Sequence, residues 1–180
     1  MRKIIEYIFI IGGIIFLLTS CATTNKYPTY QEALSNWTSH EDVATWLNRK
    51  FIYSYKRARQ EGGTAARKPN NLYQNPKGHC LDAAYFAQRT LNKINPEYKA
   101  KLIFILNKGK GLNHFATGFY LNGKIYVMDY GTGSNWVSMQ GVHGPYKSLD
   151  EYYRFLSSLQ IRGFRVGLVS WNEGYSFSED

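Results

Sequence analysis

NHFATGFYLNGKIYVMDYG, residues 113–131, holds Asn122-Gly123 between two runs of strand-forming residues. Asn-Gly accepts the positive φ angles of a type I′ two-residue loop, so the stretch predicts a β-hairpin. That loop sets the register: Leu121 lies opposite Lys124, Tyr120 opposite Ile125, and by extension Ala116 opposite Asp129 and His114 opposite Gly131. Residues directly across a strand pair, and residues two apart along one strand, share a face. His114 and Asp129 therefore fall on one face as diagonal neighbours about 7–8 Å apart at the backbone, with only the small Ala116 between them. A slip of one residue would put them on opposite faces. The other face carries Phe115, Phe119, Tyr126, Met128 and Tyr130, enough apolar surface to seat the hairpin on a core.

Upstream, NPKGHCLDAAYFAQRTLNKI (75–94) runs from the breakers Asn75, Pro76 and Gly78 into a helix-forming segment. Cys80 falls in the first turn, and Asp82 follows where the positive end of the helix dipole favours an acid. Cys80, Ala84, Ala87, Leu91 and Ile94 form a stripe at helical spacing that should face the core. A thiol at a helix N-terminus is biased toward the thiolate, the reactive form.

The chain has only two cysteines, Cys21 and Cys80. Residues 1–20 have the layout of an export signal: Arg2 and Lys3, a mostly apolar run from Tyr7 to Leu18, then the small residues Thr19 and Ser20 before Cys21. LTSC resembles the lipobox of bacterial lipoproteins, which implies lipidation of Cys21 as the new N-terminus. An uncleaved anchor is the alternative, but the apolar run is short beside the ~20 residues of a spanning helix. Residues 21–30 then read as a tether and residues 31–180 as one folded domain. The expectation is an extracytoplasmic protein lipid-anchored to a bacterial membrane, the outer one in a Gram-negative cell. Cys80 would have no intramolecular partner, and an unpaired thiol in an oxidising compartment is either buried as a small hydrophobe or kept for chemistry.

Charge narrows the partners. The formal balance of +9 suits anionic surroundings, while the scattered basic residues and the export signal argue against nucleic acid. Neither zinc-ligand spacing nor a Gly-rich phosphate loop is present, so no metal and no cofactor is expected.

GHCLDAA followed by NHFATGFYLNGKIYVMDYG resembles the transglutaminase-like branch of papain-fold cysteine enzymes. In that family a Gly-x-Cys at a helix start precedes a strand histidine and, across a hairpin, an aspartate about fifteen residues later. The resemblance spans residues 70–131 and implies an α+β fold, with the nucleophile helix packed on a largely antiparallel sheet or open barrel. It implies Cys80 as nucleophile, His114 as general base and acid, and Asp129 as its orienter. The family often has an aromatic two residues after the histidine and a proline after the aspartate, where this chain has Ala116 and Tyr130.

A tetrahedral intermediate needs an oxyanion donor. The Cys80 amide is the default, Gln74 resembles the papain-type glutamine, and Tyr73 is an alternative. His79 should point away from Cys80 by about 100°, toward solvent or substrate. His143 lies in a Gly/Pro loop and could rim a cleft, and His40 sits near a helix start where Thr38 and Glu41 have capping-box spacing.

Coarsely, a helix over 41–49, a strand over 51–56, a long loop over 57–79 and the Cys80 helix come first. A strand over 100–106, the hairpin, a Trp136 loop, a helix over 149–159 and a strand over 164–170 follow. The segments 57–79 and 131–147 should wall the cleft. Three functions fit: an acyl-transfer enzyme acting on a peptide or cell-wall peptide through a thioester, a papain-like peptidoglycan endopeptidase, and a binding lipoprotein without turnover.

Overall fold

Among the described residues the first helix is α1 (Tyr30–Asn36), capped by the Thr29 hydroxyl in a capping box with Glu32. Ser39 and Asp42 cap α2 (His40–Lys50) in the same way. The computed structural model describes residues 25–60 and 65–172, so Cys21 and the expected signal segment lie outside the described residues. The capping pair of α2 lies one residue beyond the expected Thr38 and Glu41, because Ser39 has the extended backbone that an N-cap needs. Residues 25–30, expected as a tether, dock on the domain from Asn25 onward. Asn25 accepts from Trp46 Nε1 at 3.1 Å, and Tyr73 donates to the Tyr27 carbonyl at 2.6 Å.

The expected strand over 51–56 shrinks to β1 (Ile52–Tyr53), because Ser54 caps one helical turn, α3 (Tyr55–Ala58). The long loop after it contains α4 (Pro69–Gln74), which begins with proline where no backbone donor is needed. β2 (Lys77–Gly78) then pairs in parallel with β1 and leads directly into α5 (Cys80–Ile94). A bridge between segments this far apart in sequence sets Tyr53 beside Gly78, two residues before Cys80.

β3 (Lys101–Asn107), β4 (His114–Leu121), β5 (Lys124–Asp129), β6 (Gly141–Tyr146) and β7 (Val166–Trp171) form one antiparallel sheet in the order β6-β5-β4-β3-β7. The fold is α+β, as expected. β4 and β5 hold the predicted register, from Leu121 opposite Lys124 to Thr117 opposite Met128. Asn122 and Gly123 have φ of 52° and 71°, the positive pair of a type I′ loop.

The two faces of the hairpin meet different layers. Phe119 and Met128 join a core built with α1, α2, α4 and α5, in which Trp46 stacks on Phe86 at 4.6 Å and on Tyr73 at 5.1 Å. Ala116, Ile125 and Val127 join a second core with Tyr152 and Leu156 of α6 (Leu149–Ser158). α5 is buried over most of its circumference, from Leu81 through Ala87, rather than along one stripe. Packed between the N-terminal helices and the sheet, it has little side left for water.

At the hairpin tip a Cβ added to Gly123 would meet nothing within 4 Å, so substitution there tests the backbone alone. Gly123→Ala should lower stability by about 1–2 kcal/mol, the cost of a left-handed L-residue, with the fold retained. Denaturant unfolding with unchanged m-value checks this; a neutral substitution would contradict the type I′ assignment.

Candidate active site

The sheet end where β4 begins and β5 stops carries the two polar residues singled out by the hairpin. His114 and Asp129 are 2% and 1% exposed, and His114 Nε2 lies 2.6 Å from Asp129 Oδ2. The second carboxylate oxygen of Asp129 accepts the Gly131 amide at 3.2 Å, which fixes the carboxylate plane. With Nε2 committed to Asp129, Nδ1 is the nitrogen left to face Cys80, whose charge acts on the His114 titration. The ring of Trp136 covers His114 edge-on at 5.7 Å.

Cys80 opens α5 and is partly buried. Gly131 makes the approach possible: a Cβ there would come within 2.5 Å of the Cys80 Cα, so only glycine lets the chain after β5 cross the helix start. Burial pushes the Cys80 thiol up, but hydrogen bonds and charge from His114 and then His79 outweigh it and bring the value down to about 6. For His114, burial acts against the imidazolium, but the Asp129 carboxylate and then Cys80 raise it to about 10. Between these values the pair is a thiolate and an imidazolium, an arrangement suited to nucleophilic attack followed by proton donation.

The helix start is organised by Asp82. Its carboxylate, fully buried, accepts from Arg57 Nε at 2.7 Å and Nη2 at 3.0 Å, from the Arg67 amide at 2.8 Å and from the His79 amide at 2.8 Å. Burial raises the Asp82 carboxyl, and the Arg57 guanidinium and these amides hold it below the usual carboxylate range. A depressed carboxyl stabilises the fold above its unfolded value and loses that contribution as pH falls through the folded one.

His79 departs from its expected position. It is 7% exposed, and its Nδ1 accepts the Leu81 amide at 3.1 Å as the N-cap of α5. Its backbone is extended, φ −115° and ψ −174°, so the 100° step between helical neighbours does not separate it from Cys80. Gln74 is not brought to the site: it is exposed, and its Nε2 donates to the Pro28 carbonyl at 3.2 Å. Tyr73 is turned into the helical core, on the Tyr27 carbonyl. His143 lies on β6, against the Met139 carbonyl at 2.7 Å and the Phe155 ring at 4.8 Å, away from the cleft. His40 packs on Phe119 at 5.2 Å.

A cavity of about 360 Å³ opens in front of His114, between Tyr53, Tyr55 and Arg59 on one side and Gly133, Asn135 and Trp136 on the other. Both expected walls therefore contribute only in part, since 69–74 folds into the helical layer and 141–146 forms the edge strand β6. The residue missed in the sequence is Tyr53. Burial first, and then the Cys80 charge, raise its hydroxyl to about 12, so it stays protonated at neutral pH on the wall of the cavity. Nothing local marks Tyr53; its place comes from the β1–β2 bridge. Among the described residues no three His, Cys, Asp or Glu side chains gather as a metal ion would require.

The transglutaminase-like domain family matches residues 27–138, more than half of the chain. Comparison with curated proteins gives no match. Among solved structures, calcium-bound LapG of Legionella pneumophila is similar at 18% identity and a TM-score of 0.40, covering 51% of this chain and 51% of that one. A crystal structure described as a TGase is similar at 16% identity and a TM-score of 0.39, covering 57% of this chain and 28% of that one. The chain thus aligns with about half of the LapG chain and less of the TGase.

The site makes a direct pH forecast. The rate at which iodoacetamide alkylates Cys80, followed on its tryptic peptide, should rise with a midpoint near 6, because the thiolate forms as pH climbs through that value. A midpoint at the ~8.5 of a free thiol would contradict activation by His114.

Proposed function

We propose that this chain, which belongs to the transglutaminase-like domain family, is a thiol-dependent acyl-transfer enzyme acting on amides. The observation that carries the reading is the buried His114–Asp129 pair at 2.6 Å, with Gly131 just beyond it packed against the Cα of the cysteine that starts α5.

In this reading the Cys80 thiolate attacks the amide carbonyl carbon, the C–S bond forms, and the carbonyl electrons move onto oxygen. The Cys80 amide and the Tyr53 hydroxyl replace Gln74 as the donors for that oxyanion. The His114 imidazolium gives its proton to the leaving nitrogen as the C–N bond breaks, which leaves a thioester and a neutral imidazole. Water or an amine then attacks the thioester, His114 takes its proton, and the thiolate is restored. Asp129 keeps the imidazole in the tautomer that presents Nδ1 to sulfur and stabilises the imidazolium. The acyl donor is a peptide or cell-wall peptide, and the enzyme works outside the cytoplasm, held to a membrane through lipid on Cys21.

Asp129→Asn keeps the shape but reverses the tautomer preference, so turnover should fall by about 10⁴-fold with the fold intact. Acid-quenched mass spectrometry with a mixed peptide library should find the acyl group on Cys80 of the wild type. Full turnover by Asp129→Ala would overturn the reading. Anchoring is checked separately: a fatty-acid probe fed to cells should label the wild type, and Cys21→Ala should lose the label. Persistent label on that variant would refute the lipoprotein assignment.

A further inference from the structure

The cavity in front of His114 has an unbalanced lining. Three cations face it, Arg59, Lys110 and Arg162, and among the described residues its lining holds no aspartate or glutamate. They arrive from three separate parts of the chain: after α3, in the β3–β4 connection, and before β7. Convergence of that kind is different from a run of basic residues along one exposed face.

Other basic residues near the helix start are spent on structure. Arg57 is paired with Asp82, and Arg67 donates to the carbonyls of Asn71, Asn75 and Lys77. Among the described residues, none of Arg59, Lys110 and Arg162 has a carboxylate partner. The Arg59 guanidinium lies over the Tyr55 ring, 5.8 Å from its centroid, which holds the charge at the mouth of the cavity. Tyr53, Tyr55 and Trp136 supply low-dielectric walls. Such walls concentrate the field of like charges and raise the local concentration of the opposite charge.

We infer that the cleft selects an acyl donor bearing a carboxylate beside the scissile amide, an acidic peptide rather than a neutral or basic one. The inference rests on the proposed acyl-transfer reading for the word donor, but the anion site itself does not. A cavity of about 360 Å³ is at the small end of ligand pockets, so it accommodates the side chains flanking the bond and not a folded partner. The imidazolium of His114 adds to the same field at neutral pH. A carboxylate docked against Arg59, Lys110 and Arg162 through charge-assisted hydrogen bonds would hold the carbonyl beside His114, at the wall the cavity shares with the active site.

The test separates the anion site from the reaction. Cys80 of the full-length chain is alkylated in detergent at low ionic strength, by the anionic iodoacetate and by the neutral iodoacetamide, and both rates are read on the Cys80 peptide. The ratio of the two rates should fall by about tenfold or more in Arg59→Gln/Lys110→Gln/Arg162→Gln, within the 10–10³ range of electrostatic focusing. The iodoacetamide rate should stay within about twofold, since the thiolate is set by His114 and His79 rather than by these exposed cations. Added salt should lower the wild-type ratio and leave that of the variant nearly unchanged. Arg162→Glu alone, with an unaltered melting curve, should move the ratio in the same direction.

An equal ratio in wild type and triple variant would overturn the anion site, since the imidazolium alone would then account for any preference. Paired peptides with Glu or Gln next to the cleaved amide supply the second arm, with a higher KM expected for Gln in the wild type and no difference in the triple variant. Charge-selective alkylation without turnover of any peptide would retire the acyl-transfer reading and leave the anion site standing. Turnover with equal kcat/KM for Glu and Gln, and an unchanged alkylation ratio, would retire the anion site and leave the reaction.

Discussion

The carboxylate of Asp82 is the point on which the site is hung. It is buried in the first turn of α5 and collects a two-pronged ion pair from Arg57, the Arg67 amide and the His79 amide. One side chain thereby joins α3, the segment before α4, the β2 bridge and the nucleophile helix. A buried carboxylate is tolerable only when so many donors meet it, and removing one partner leaves an uncompensated charge at a cost of about 3–5 kcal/mol. The consequence for chemistry is positional: what fixes His79 and the start of α5 also fixes Cys80.

The rest of the molecule holds that helix start against the end of the hairpin. Trp46, Phe86 and Tyr73 stack on one side of α5, while the Thr117 hydroxyl on β4 donates to the Ala84 carbonyl at 2.6 Å. The sheet presents His114 and Asp129 on the face it shares with α6, at the same end as Gly131. Burial by itself would make both the thiolate and the imidazolium unfavourable. The Asp129 carboxylate and the Cys80 charge favour the imidazolium, and His114 together with His79 favours the thiolate. The cations of the cleft lie outside that set and are free to act on what enters.

Local chemistry made part of this legible in the sequence. Asn122-Gly123 determines its own turn, the turn determines the register, and the register puts His114 and Asp129 on one face without reference to any other element. The breakers before Cys80 likewise announced a helix start, and the resemblance to the transglutaminase-like family rested on those same residues. What could not be read were the pairings made across distance. The β1–β2 bridge that delivers Tyr53 is two residues long and joins segments separated by α3 and α4. Gln74 looked like an oxyanion donor by its spacing from Cys80, but α4 turns it outward to Pro28. The rotation between helical neighbours does not reach His79, because that residue caps the helix with an extended backbone. The helix dipole that marks Asp82 in the sequence is a small effect beside its principal partner, an arginine 25 residues away.

The central claim is that Cys80 and His114 form a thiolate–imidazolium pair backed by Asp129. The most direct measurement is the ¹⁵N NMR spectrum of the His114 side chain as a function of pH, in the wild type and in Cys80→Ala. The account predicts two protonated ring nitrogens at neutral pH in the wild type, a loss of the second proton only as pH approaches about 10, and a lower midpoint once the thiolate is removed. A neutral His114 at pH 7, titrating near the ~6.5 of a free imidazole and indifferent to Cys80→Ala, would contradict it.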